Sequence, residues 1–230
     1  MPRDDSGDQT DALAGYVADR QDGRGLTFRD VPAGQRAMQV LEAYWRDIKG
    51  TDHLPHRRDL DATQIEEALP HAFILERIAP GIARIRTGGQ VVCSHMGFEA
   101  RGMPLSVLFA PDSRNGLRRW LERCFEDPAL VDLPVTARRG ILQAPITGRL
   151  LLLPLLDQDD RVTRAVGGLF LDQPARLAKV KFDIREDPTL RCQRLVQPSQ
   201  PVLHAVAGDR VGSAPSTHRR AQLRLVVSNP

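Results

Sequence analysis

The chain has 230 residues, enough for one generous domain with appended segments, and 41% hydrophobic against 27% charged residues is the composition of a globular protein with a sizeable core. Wholesale disorder is excluded, and so is a membrane-spanning helix, because the longest apolar run, Leu150 to Leu156, falls far short of about 20 residues. The formal charge of +3 invites a nucleic-acid partner, but its distribution disfavours one. Residues 1–30 carry four Arg against seven Asp, residues 191–230 carry six Arg against one Asp, and only three of the 32 cations are lysines, so a chain-wide arginine bias explains the sign.

The N-terminal residues 1–32 are rich in Asp and Gly with few apolar anchors and read as a flexible arm. They are acidic, with no apolar stretch to act as a secretory signal, which places the expected location in the cytoplasm. Pro32 then opens a helix in which Ala37, Leu41, Tyr44, Trp45 and Ile48 recur at helical spacing until Gly50. A small sheet cannot easily cover both Tyr44 and Trp45, so Leu41, Tyr44, Trp45 and Ile48 are expected to form the interface of a homodimer.

Asp61 can cap a short helix that ends at Pro70. The period then changes, and Phe73–Ile78 and Ile82–Thr87 flank the turn dipeptide Pro80-Gly81, predicting an antiparallel hairpin. Val91 to Gly102 suits short helical turns. After a possible cap at Asp112-Ser113, Leu117, Trp120, Leu121, Cys124 and Phe125 form a continuous apolar stripe closed by Asp127-Pro128. Three strands are expected at 133–139, 150–156 and 165–171, with Pro154 confined to a strand end, edge or bulge because it cannot donate to a ladder. Val180, Phe182 and Ile184 alternate with Lys181 and Asp183 as a further strand would. Residues 186–230 read as a mostly flexible Arg-rich tail, although Leu223, Leu225 and Val227 alternate and could dock on a sheet edge as an added strand.

This order describes an α+β domain over 33–185, with a core at 40–172. It has a five-stranded antiparallel sheet, helical connectors on one face and an N-terminal helix. The order resembles the PAS fold. The residues are similar to the single-domain PAS family 5 proteins of alphaproteobacteria in three clusters: Tyr44-Trp45-Arg46 with Leu54-Pro55-His56-Arg57 and Leu69-Pro70; Arg86 to Gly102; and Leu151-Leu-Leu-Pro-Leu155 with Gly167-Gly168. Gly148-Arg149 departs from that family, which tends to have an acidic residue there, and His56 replaces a small one. The resemblance implies a non-catalytic sensory or regulatory module with a signalling protein partner and, in some cases, a small apolar ligand.

The chemistry-bearing residues support binding over catalysis. No Gly-x-Ser-x-Gly elbow, Ser-x-x-Lys, phosphate loop or Gly-x-Gly-x-x-Gly is present in the sequence. His53 and His56 supply only two nitrogens beside several aspartates, which reads as a surface loop, and no metal is expected. Cys93 and Cys124 lack the Asn-Cys-Arg-Phe-Leu-Gln context of flavin-adduct PAS domains and read as core thiols, and residues 113–127 hold no His to ligate haem. The cofactor is therefore unknown. Phe73, Leu75, Ile85, Val92, His95, Met96, Trp120, Cys124, Phe125, Val135 and Leu153 are expected to line the inner space, as packed core or as a ligand pocket. The competing readings are a small cup-shaped α+β enzyme or carrier, which needs a convergent acid, base or nucleophile, and a nucleic-acid binder using the Arg-rich tail.

Overall fold

The computed structural model describes residues 32–50, 54–138, 140, 143–173 and 180–195. Seven strands form one antiparallel sheet in the order β2-β1-β5-β4-β3-β6, with β7 also paired to β3. The strands are β1 (Ala72–Ala79), β2 (Ile82–Gly88), β3 (Ala129–Ala137), β4 (Ile146–Leu156), β5 (Val162–Leu171), β6 (Asp183–Ile184) and β7 (Arg191–Arg194). Among the described residues three α-helices accompany them, with four short 3-10 turns between: α1 (Ala33–Lys49), α2 (Gln90–Met96) and α3 (Arg114–Phe125).

Helices cover both faces of the sheet, and the alternation of each strand decides which residues each face receives. The inner face carries Phe73, Leu75, Ile85, Val131, Val135, Leu150 and Leu152 against α3 and α2. The outer face carries Leu130, Leu151, Leu153, Leu155 and Val166 against α1. Strands buried on both faces read as unbroken apolar runs, which is why Leu150–Leu156 shows no period of two.

Helix α1 is the sheet's outer cover, and its placement corrects the expected dimer surface. Leu41 and Trp45 are fully buried beneath it, and the Trp45 indole donates to the Pro154 carbonyl at 3.2 Å. Tyr44 is half-buried, its hydroxyl donating to the Asp59 carbonyl and accepting from the Asp61 amide. Ile48 is also half-buried. The aromatic patch expected to drive self-association is spent inside the chain. The close fit needs a glycine: a Cβ at Gly34 would collide with the Leu171 carbonyl. Gly167 has the same role inside the sheet, where a Cβ would meet the Leu151 carbonyl and the Phe73 ring.

Pro154 lies where β4 is locally an edge, since β3 pairs with β4 only as far as Leu152 while Pro154 faces Ala165 of β5. At Ser113 the expected cap is not used as one. Its hydroxyl makes no capping bond to α3 and instead donates to Asp183 and accepts from the Ile184 amide. That exchange ties the segment after β5 to the head of α3. The paired strands also run past residue 185, because β6 and β7 lie in series along β3 and β7 extends to Arg194. The alternating residues 222–227 lie outside the described residues.

Candidate functional site

The inner layer gathers ten of the eleven residues expected there. Phe73, Leu75, Ile85, Val92, Met96, Cys124, Phe125 and Val135 belong to one buried cluster, Trp120 packs on its margin, and His95 is buried beside it. Leu153 does not belong: it points to the opposite face, under α1, because it is one residue out of phase with Leu150 and Leu152. A void able to hold water would leave accessible surface on its lining, yet Leu75, Ile85, Val92 and Cys124 have none. The centre of the layer is therefore filled by side chains.

At the layer's margin the packing opens. A cavity of about 320 Å³ is lined by His95 and Met96 at the end of α2 and Phe98 just after it, by Val107 and Leu108, and by Val180 and Lys181 from the segment after β5. Phe98 stands at its mouth with 49% of its surface exposed. His95 closes the inner wall, with its Nε2 3.0 Å from the Val180 carbonyl and its ring stacked on Phe182 at 4.7 Å. A carbonyl partner requires that Nε2 carry the proton. Burial holds the imidazole below its ordinary range, only partly offset by this hydrogen bond and reinforced by Lys181, so the ring is neutral near pH 7.

Residues 180–195 form a strap that the sequence reading only half identified. Val180, Phe182 and Ile184 face inward as their alternation predicts, and Phe182 is fully buried in the inner cluster. Farther along, a charge network on the outer face latches the strap. Asp132 of β3 is 1% exposed and accepts from Arg149 Nε at 2.5 Å and Arg191 Nε at 2.8 Å. Arg191 continues to Glu42 of α1 at 2.6 Å, and Glu42 also holds Arg46 at 2.9 Å. Burial alone would raise the Glu42 carboxyl, but Arg191 and then Arg46 outweigh it and hold the group below its ordinary value. Arg149, which departs from the family pattern, is thus the partner of a buried carboxylate. No local motif marks this network, since its members lie up to 149 residues apart.

A second depression of about 820 Å³ lies on the outer face, floored by Ile74 and Leu156 and rimmed by His56, Arg57 and Arg58. Within it Glu76 pairs with both Arg86 and Arg164. His56 is held by the Asp157 carbonyl and by Asp160, in keeping with a structural loop, while His53 lies outside the described residues. Among the described residues no cluster of three or more His, Cys, Asp or Glu is arranged to hold a metal ion. The Cys124 thiol is wholly buried and its pKa is pushed up, mainly by that burial, which makes it a poor nucleophile. Cys93 Sγ lies 3.6 Å from the Gly88 carbonyl. The Trp120 indole nitrogen is shielded and makes no hydrogen bond among the described residues.

No curated protein matches the chain. Among solved structures, a light-oxygen-voltage domain studied with a flavin analogue is similar, with 16% identity and a TM-score of 0.34 over 49% of this chain and 84% of that one. Likeness at that level carries no cofactor or activity to this protein. The family model described as PAS domain matches residues 34–170, from the second residue of α1 to the penultimate residue of β5. With the strand order and the two-sided packing, that match identifies the chain as a member of the PAS domain family, a family of sensory and regulatory modules.

Proposed function

We propose that this PAS domain is a non-catalytic cytoplasmic sensor that takes up a small apolar molecule at the mouth between α2 and the strap and signals to a protein partner through residues 180–195. One observation carries the reading. A single continuous segment forms a wall of the apolar cavity at Val180 and Lys181, pairs with β3, and reaches α1 through Arg191 and Glu42. Anything that moves the cavity wall therefore bears on both the sheet edge and the helix that covers the opposite face.

The chemistry of the lining supports uptake over catalysis. His95, the titratable group that closes the wall, is neutral and has its Nε2 proton committed to a main-chain carbonyl. The cavity's other lining groups are mostly apolar, and its size is at the lower end for a small-molecule site. Mass spectrometry of gently purified protein, before and after denaturation, tests the reading. A neutral apolar compound released on unfolding is expected. If none is released, and a panel of neutral apolar compounds leaves the melting temperature unchanged, the sensor reading is overturned.

A further inference from the structure

The inner layer is completed by a side chain that comes from neither the five central strands nor the helices packed on them. Phe182 arrives from the strap, beyond the stretch that matches the family, and its ring is fully buried. The main chain is tied there by the Phe182 amide to the Leu108 carbonyl and the Ala110 amide to the Phe182 carbonyl, both at 2.9 Å. The His95 ring lies over the phenyl at 4.7 Å with 28° between planes. Beside this ring, and sharing His95, Leu108 and the strap's own Val180 as walls, lies the open 320 Å³ cavity.

We propose that Phe182 is a resident stand-in for a ligand: the position its phenyl fills is a binding site for a compact, uncharged aromatic compound of phenol to indole size. The compound enters through the adjoining cavity, stacks on His95 and displaces the strap. The inference rests on the sensor reading and names the ligand class and the event that ligand uptake causes.

The class follows from what the site now holds. The position is apolar and accepts a flat six-membered ring against an imidazole face, so a charged group placed there would lose its hydration; the nearby cation, Lys181, is exposed at the cavity's outer wall with its Nζ on the Val107 carbonyl. Exchange of one ring for another is close to balanced, because the ligand buries what Phe182 releases. A modest difference in affinity then shifts the population of the strap. An apolar space vacated by a core side chain stays dry and accepts benzene-sized molecules, so removing the phenyl exposes the site directly.

The test uses the full chain, with indole and phenol as probes and benzoate as the charged control, and compares wild type with Phe182→Ala and Phe182→Leu. Indole is expected to bind Phe182→Ala at least tenfold more tightly than wild type, with Phe182→Leu between them and benzoate binding none of the three. In wild type, saturating indole is expected to speed amide exchange of Lys181–Ile184 by tenfold or more while α1 and β5 keep their protection. If Phe182→Ala does not fold, Phe182→Leu carries the comparison. Equal indole affinity in the wild type and a folded variant, or binding that leaves the strap amides unchanged, overturns the proposal. Ring binding that frees the strap without altering any protein's association would overturn the signalling reading and leave the site standing.

Discussion

Asp132→Ala removes the one carboxylate that both Arg149 and Arg191 share, and the cost can be estimated from what each arginine keeps. Arg191 has a 40% exposed side chain and retains Glu42, so solvent and a second carboxylate absorb most of its loss. Arg149 is only 14% exposed and, without Asp132, keeps the Thr189 carbonyl and hydroxyl and a longer-range attraction to Asp187. Breaking a buried pair from one side costs about 3–5 kcal/mol, and with one cation still paired the lower end applies, about 3 kcal/mol. For a domain of this size that is a fall in Tm of about 6–12 °C. Urea and thermal melts read the global loss, and hydrogen exchange reads its place, since β7 amides from Arg191 to Arg194 should lose protection before those of β1 and β5. The combination Asp132→Leu, Arg149→Met and Arg191→Met strands no charge and should recover most of the stability. A loss below about 1 kcal/mol for Asp132→Ala, or a triple variant as unstable as the single one, would refute the view that the latch is held by paired buried charges.

Trp45→Ala should destabilise the chain by about 3–5 kcal/mol through loss of core packing and leave its sedimentation coefficient unchanged; a shift in oligomeric state would show that the helix also serves an interface. Leu153→Ala and Leu152→Ala should cost similar amounts, about 2–5 kcal/mol, but loosen different helices, α1 and α3 respectively, as read by amide exchange. Burial depresses the His71 and His95 imidazoles in the folded state, so the unfolded chain takes up protons first and stability should fall as pH drops through the ordinary value of 6.5. His95→Gln should remove part of that loss in urea melts between pH 7.5 and 5.5, and an unchanged slope would refute the assignment. The Glu42 carboxyl is depressed in the fold, so its contribution is present above its ordinary 4.5 and is lost as pH falls below it; Glu42→Gln should flatten that acid limb. A fragment ending at residue 185 should melt below one ending at residue 197, since only the longer carries β7, and equal melting would remove β7 from the stability of the body.

Local signals in the sequence were enough for the elements and their order as far as β6, whereas β7 fell in the stretch read as tail. The 3.6-residue recurrence of Leu117, Leu121, Cys124 and Phe125 and the Pro80-Gly81 turn are short-range patterns. Backbone geometry reads these in the same way whatever the rest of the chain does. The alternation of Val180, Phe182 and Ile184 marked a strand for the same reason, and the clustered motifs pointed to the PAS family. Three matters could be settled only by the tertiary structure. An unbroken apolar run carries no phase, so Leu150–Leu156 could not say that Leu152 faces α3 while Leu153 faces α1. An amphipathic helix announces an apolar face without naming what covers it, so Trp45 read as interface until the outer sheet face was seen beneath it. Finally, the Asp132, Arg149, Arg191 and Glu42 network and the insertion of Phe182 beside His95 join residues far apart in the chain. Their energies depend on burial and distance, which a list of residues does not contain.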